Sequence, residues 1–104
     1  MVNPMAGEVA LIVDGQERVC KLTLGALAEL EAQLEIGTLT DLIARFEAGS
    51  CSSRDILRLV VAGLRGGGWA VTEAELLSAD IAGGPVGAAK AAAVMLARAF
   101  TVPT

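Results

Sequence analysis

Residues 8–22 read EVALIVDGQERVCKL, and this stretch decides the fold class. Val9, Leu11 and Val13 alternate with Glu8, Ala10 and Ile12, the period of two that a half-buried strand requires. Asp14-Gly15 follows, and both residue types tolerate the positive φ of a tight hairpin turn. The second strand then runs toward Leu22. Two registers are open. A two-residue turn pairs Val13 with Gln16 and Leu11 with Arg18. A four-residue loop over Asp14 to Glu17 pairs Leu11 with Cys20 and Val9 with Leu22, and sets Ile12 against Val19. The second gathers Val9, Leu11, Cys20 and Leu22 on one face, so it is the register expected where one face is buried. A lone hairpin is marginal in water, so this one must pack on the rest of the chain or pair with another.

Everything after the hairpin reads as helix. Thr23 is placed to cap a helix over about 24–35, with Leu27, Leu30 and Leu34 on one face and Gly37 just past its end. Thr38 or Thr40 opens a second over about 39–48, with Leu39, Leu42, Ile43 and Phe46 inward and Gly49 closing it. Ser52-Ser53-Arg54-Asp55 is a capping signal for a third over 53–65, which carries Ile56, Leu57, Val60, Val61 and Leu64 and stops at Gly66-Gly67-Gly68. Thr72-Glu73-Ala74-Glu75 is a capping box for a short helix over 73–79. Pro85 suits the first turn of a last helix over about 86–100, with Val86, Ala89, Ala93, Leu96 and Phe100 on its face. The expected class is α+β, mostly α: an N-terminal β-hairpin (8–22) followed by about five short helices. The 104 residues suffice for one domain, and no linker is long enough to divide them.

Composition excludes several functions. The hydrophobic fraction is 54%, much of it alanine, and the only aromatic residues are Phe46, Trp69 and Phe100, which suits closely packed helices. The net charge of −4 comes without a dense basic patch, so nucleic acid is not an expected partner. The most apolar stretch, from Ile81 to Phe100, holds Gly83, Gly84, Pro85, Gly87, Lys90 and Arg98, which argues against a membrane span. The first residues lack the charged and apolar regions of a signal peptide, so the expected location is the bacterial cytoplasm.

Catalytic and metal chemistry finds no footing in these residues. There is no histidine, which removes the commonest general base and the commonest metal ligand. Cys20 and Cys51 have no partner at zinc spacing and no base to activate them; both read as small apolar residues in a reducing compartment, the alternative being a single disulfide between them that nothing in the sequence calls for. The carboxylates stand at helix starts or on polar faces. The triple glycine lacks the lysine and Ser/Thr of a phosphate loop and reads as a helix stop. An acyl-carrier reading also fails, because Leu77-Ser78-Ala79-Asp80 ends a helix and runs in the wrong order. No catalytic, cofactor or metal residue is therefore assigned, and a small carboxylate enzyme is the reading these residues favour least. Trp69 reads as a buried core ring or, alternatively, as an interface anchor, since tryptophan is enriched at binding hot spots. Phe100 carries the same ambiguity. With Leu96 on the same helix face as Phe100, these three are the candidate protein-contact residues.

The order of segments carries a resemblance. Gly7-Glu8-Val9-Ala10-Leu11 leads to Asp14-Gly15, then to 22–31 (LTLGALAELE), Arg45-Phe46-Glu47-Ala48-Gly49, Ser53-Arg54-Asp55 and Ala62-Gly63-Leu64-Arg65-Gly66. A glycine-rich step and an alanine-rich last helix follow. This ordered set resembles the small tail protein of phage-like gene transfer agents, a family also described as tail tube or tail-assembly chaperone. Ala6 departs from the basic residue expected before Gly7-Glu8, and residues 101–104 look individual to this chain. The resemblance implies a non-enzymatic protein with no cofactor and no catalytic residues. It implies a chaperone that binds tape-measure or tail tube proteins while the tail is built, or else a tube or connector subunit that stays in the virion-like particle. The unpaired edge of the hairpin and the small side chains of the last helix add an expectation of a homo-oligomer.

Overall fold

The computed structural model describes residues 7–33 and 39–99. Two strands, β1 (Val9–Val13) and β2 (Gln16–Cys20), form an antiparallel hairpin. Five helices follow: α1 (Leu24–Gln33), α2 (Leu39–Glu47), α3 (Ser53–Gly66), α4 (Glu73–Leu77) and α5 (Gly84–Ala99). This is the mostly helical α+β class expected from the sequence. Leu34, Gly37 and Phe100, which the sequence placed on or beside helices, lie outside the described residues.

The hairpin takes the tight register, not the four-residue loop. Val13 pairs with Gln16, Leu11 with Arg18 and Val9 with Cys20. Asp14 and Gly15 have φ of 51° and 79°, so both central residues are left-handed, as a type I′ turn requires. Such a turn matches the twist of the strands, and it is further clamped from outside. The Asp14 N–H donates to the Asp80 carbonyl at 2.7 Å, and Asp14 Oδ1 accepts from the Asp80 N–H at 2.8 Å. The expected apolar match across the pair is lost: Leu11 faces Arg18, and Ile12 faces Glu17. Arg18 is tolerated on the inner face because its guanidinium leaves the sheet and lies over the Trp69 ring, 4.1 Å from the centroid.

Helix α3 is the centre of the molecule. Leu59, Val60, Val61, Ala62, Gly63 and Leu64 are all buried. Its start is capped as the sequence predicts: Asp55 N–H donates to Ser52 Oγ at 3.1 Å, and Ser52 N–H donates to Asp55 Oδ2 at 3.3 Å. Asp55 is also 3.0 Å from the Arg45 guanidinium, so one buried carboxylate closes α3 and holds α2 against it. Thr72 and Glu75 form the second capping box, and Thr23 Oγ1 accepts from the Ala26 N–H at the start of α1.

The far end of α3 carries glycine at 63, 66 and 67, three positions on one helical face. A Cβ at Gly63 would stand 2.2 Å from Met95 Sδ of α5; at Gly66, 2.0 Å from the Lys21 carbonyl oxygen; at Gly67, 1.9 Å from that of Val19. The Lys21 N–H donates to the Gly63 carbonyl at 2.8 Å. Gly66 and Gly67 therefore do more than stop a helix. They let α3 lie directly on the main chain of β2 and on the residue that follows it.

Helix α5 turns a different face inward from the one expected. Ala88, Ala91, Ala92, Met95 and Leu96 are buried, while Val86 and Ala93 are exposed. Hydrophobicity alone favoured Val86. The small alanines permit a closer approach to the core, and the space left by Gly63 receives Met95. The core is one cluster that runs from Val9, Leu11 and Val13 through Leu30, Leu42 and α3 to Met95 and Leu96.

Two alanine substitutions test this packing in opposite directions. Gly66→Ala forces a methyl onto a backbone carbonyl and is expected to cost about 1–3 kcal/mol. At Gly25 of α1 the nearest atom to a new Cβ is 3.9 Å away, so Gly25→Ala is expected to add about 0.5–1 kcal/mol. Urea unfolding midpoints at equal m-value would show a fall for the first and a rise for the second.

Candidate protein interface

Of the three contact residues read from the sequence, Trp69 and Leu96 are described. Trp69 follows Gly68, whose φ of 107° turns the chain away from α3, and its backbone N–H donates to the Leu64 carbonyl at 3.0 Å. The ring is half-buried, with one face covered by Arg18. Arg18 Nη2 in turn donates to Gln16 Oε1 at 3.1 Å. Trp69 is thus fixed as a cover over the inner side of β2. Leu96 is only 6% exposed, and its edge helps to line a shallow groove of about 300 Å³ with Ile43 and Phe46 of α2 and Ala93 of α5. The two residues belong to different parts of the surface, one against β2 and one between α2 and α5.

The structure adds a cleft that the sequence reading did not assign. It has a volume of about 600 Å³ and lies between the start of α3, helix α4 and the start of α5. Leu57, Leu76, Ile81 and Pro85 line it, and Arg54 and Asp80 stand at it as opposite charges. Leu77 belongs to its lining at 72% exposed, and Val86, which follows Pro85, is 64% exposed. Exposed apolar side chains beside a cleft mark a contact surface more than they mark a reaction centre.

Among the described residues no group of three Cys, Asp or Glu side chains is gathered to hold a metal ion, and no helix is long and apolar enough to cross a membrane. Both cysteines are free. Cys20 is fully buried, and burial pushes its thiol up to about 12. Cys51 is half-buried beside the Arg45–Asp55 pair. Desolvation and then the Asp55 carboxylate raise its thiol, while Arg45 acts the other way. Neither is a thiolate nucleophile near neutral pH.

Burial of Cys20 makes stability depend on alkaline pH. The unfolded chain releases the thiol proton near the ordinary value of 9.0, and the folded chain keeps it to about 12. Between these values the unfolded state binds fewer protons. The contribution of Cys20 is therefore complete below pH 9.0 and is lost as the pH rises toward about 12. The expected slope in that window is up to about 1.4 kcal/mol per pH unit, and Cys20→Ala should remove it when unfolding free energies are compared across the window.

Comparison with known proteins gives one assignment. A family model described as phage tail tube protein, GTA-gp10, matches residues 6–102. The chain matches none of the curated proteins and none of the solved structures. The match spans the hairpin, all five helices and the surfaces described above, and the family is one of structural tail proteins, not of enzymes. The chain belongs to the phage tail tube protein family, GTA-gp10.

Proposed function

We propose that this protein is a tail-assembly chaperone of a phage-like gene transfer agent, which binds tape-measure or tail tube proteins while the tail is built. The observation that carries this reading is the apolar surface left open on a chain that already has a complete core. Leu24, Leu77 and Val86 are 85%, 72% and 64% exposed, and apolar grooves open on both sides of α5. A groove between helices is the usual seat for an amphipathic helix, whose apolar side chains enter at helical spacing. That is the form in which a long helical tape-measure protein would offer itself. The partners are other tail proteins; the half-buried Trp69 and Leu96, in the α2–α5 groove, are the proposed contacts. Under this reading the protein acts in the cytoplasm and is released before the particle is finished.

A second reading has its own support: the family description names a tail tube protein, so a tube or connector subunit retained in the particle follows from it. The two readings differ in where the protein ends up. Mass spectrometry of purified particles should lack a chaperone and should contain a tube subunit in many copies. Co-expression with the neighbouring tail proteins should recover a complex with the tape-measure or tube protein in the chaperone case. Abundant protein in finished particles would overturn the chaperone reading. Leu77→Ser should weaken the complex while leaving unfolding stability within about 0.5 kcal/mol, because the side chain is already in water.

A further inference from the structure

The outer edge of β1 is filled from within the chain at both ends and left open in the middle. Residues that flank a two-residue loop exchange both main-chain bonds, so Val13, Leu11 and Val9 bond across to Gln16, Arg18 and Cys20. The N–H and C=O groups of the even-numbered residues therefore point away from β2. Three of these are taken. The Asp14 N–H donates to the Asp80 carbonyl, and the Ile12 carbonyl accepts from the Ala82 N–H at 3.0 Å. The Glu8 carbonyl accepts from the Arg98 guanidinium. Between them, the N–H and C=O of Ala10 and the N–H of Ile12 have no partner among the described residues.

The pairing from Asp80 to Ala82 is an isolated antiparallel bridge beside the two-stranded sheet. Ile81 bridges Val13 in the antiparallel sense, and the chain then turns at Gly83 and Gly84 into α5. Beyond that bridge, a groove of about 330 Å³ opens between β1 and α5. Gly87 and Ala91 keep its α5 wall low, Ile12 and Val94 are each more than a third exposed beside it, and Lys90 is the one charged residue among the described residues that line it.

We propose that this edge takes an extended segment of a partner protein, added antiparallel to β1 beyond the Val13–Ile81 bridge, with a carboxylate side chain set against Lys90. The occupant follows from three features. The edge already accepts antiparallel pairing next door. The open donor and acceptor of Ala10 are the pair that one residue of an added strand exchanges. Among the described residues that line this apolar groove, the charge is a cation. A second copy of β1 fits badly: in a two-fold pair centred on Ala10, Glu8 of the second copy would occupy the place where Ala82 already faces Ile12. The inference deepens the reading as a binder of tail proteins by naming the edge used, and its test contains no tail protein, so either can fail alone.

The probe is a synthetic octapeptide that alternates valine with threonine and carries one glutamate in place of a valine, titrated into the full chain and followed by amide NMR. The expected result is a saturable shift of the Ala10 and Ile12 amides together with Gly87, Lys90 and Val94. A lysine in place of the glutamate, or Lys90→Glu in the protein, should weaken binding about two- to fivefold, as for an exposed ion pair. Ala10→Pro is the decisive variant. It removes an outward N–H and no bond to β2, so the hairpin spectrum should persist while binding falls about tenfold. Shifts elsewhere, no shift at millimolar peptide, or binding unchanged by Ala10→Pro would overturn the proposal. So would concentration-dependent protection of the Ala10 amide in the protein alone, which would place a second copy at the edge.

Discussion

The contact between the end of α3 and the main chain of β2 governs the rest of this structure. Gly66 and Gly67 bring the end of a helix to within reach of backbone carbonyls, a distance that no side chain larger than hydrogen permits, and Gly63 leaves room for the Met95 side chain. A two-stranded hairpin has no independent stability, and this contact supplies the surface it needs. The Lys21–Gly63 hydrogen bond fixes where along α3 the hairpin sits. Once it is placed, Cys20 is sealed from water, Met95 of α5 fills the hollow at Gly63, and β1 is carried against α5. The Cys20 thiol, which burial holds protonated, lies at this junction.

A second constraint works from the opposite side. The Asp14-Gly15 turn is held by two hydrogen bonds to Asp80, which ties the tip of the hairpin to the connection between α4 and α5. That connection supplies Ile81 to the core margin and Ala82 to the edge of β1. The same connection borders the cleft under α4, so one short segment limits two of the surfaces open to a partner.

Much of the architecture was legible in local patterns. Ser52 with Asp55 and Thr72 with Glu75 are capping boxes because a short polar side chain and an acid three residues on satisfy each other's orphan backbone groups, whatever the surroundings. The candidate interface was less legible. Trp69 stood out by type alone, and the sequence left open whether it faced inward or outward. The half-buried position with Arg18 across its face is neither extreme, and it depends on a residue 51 positions away (69 − 18). Leu77 and the open groups of Ala10 drew no notice, because exposure and edge position are properties of the assembled chain.

The sequence by itself determined the order and type of the elements: a period of two up to Val13, a turn at Asp14-Gly15, then helices punctuated by caps and glycines. These follow from backbone preferences that act over a few residues. Only the tertiary structure decided the register of the hairpin and the buried face of α5. Hydrophobic matching within β1 and β2 favoured a wider loop, but the inner face was completed from outside by α3 and Trp69, which freed the strands to adopt the tighter turn. Hydrophobicity within α5 favoured Val86, but the close approach allowed by Gly63 and by the alanines turned Met95 inward instead. In both cases the deciding partner lay far along the chain, where no local pattern could report it.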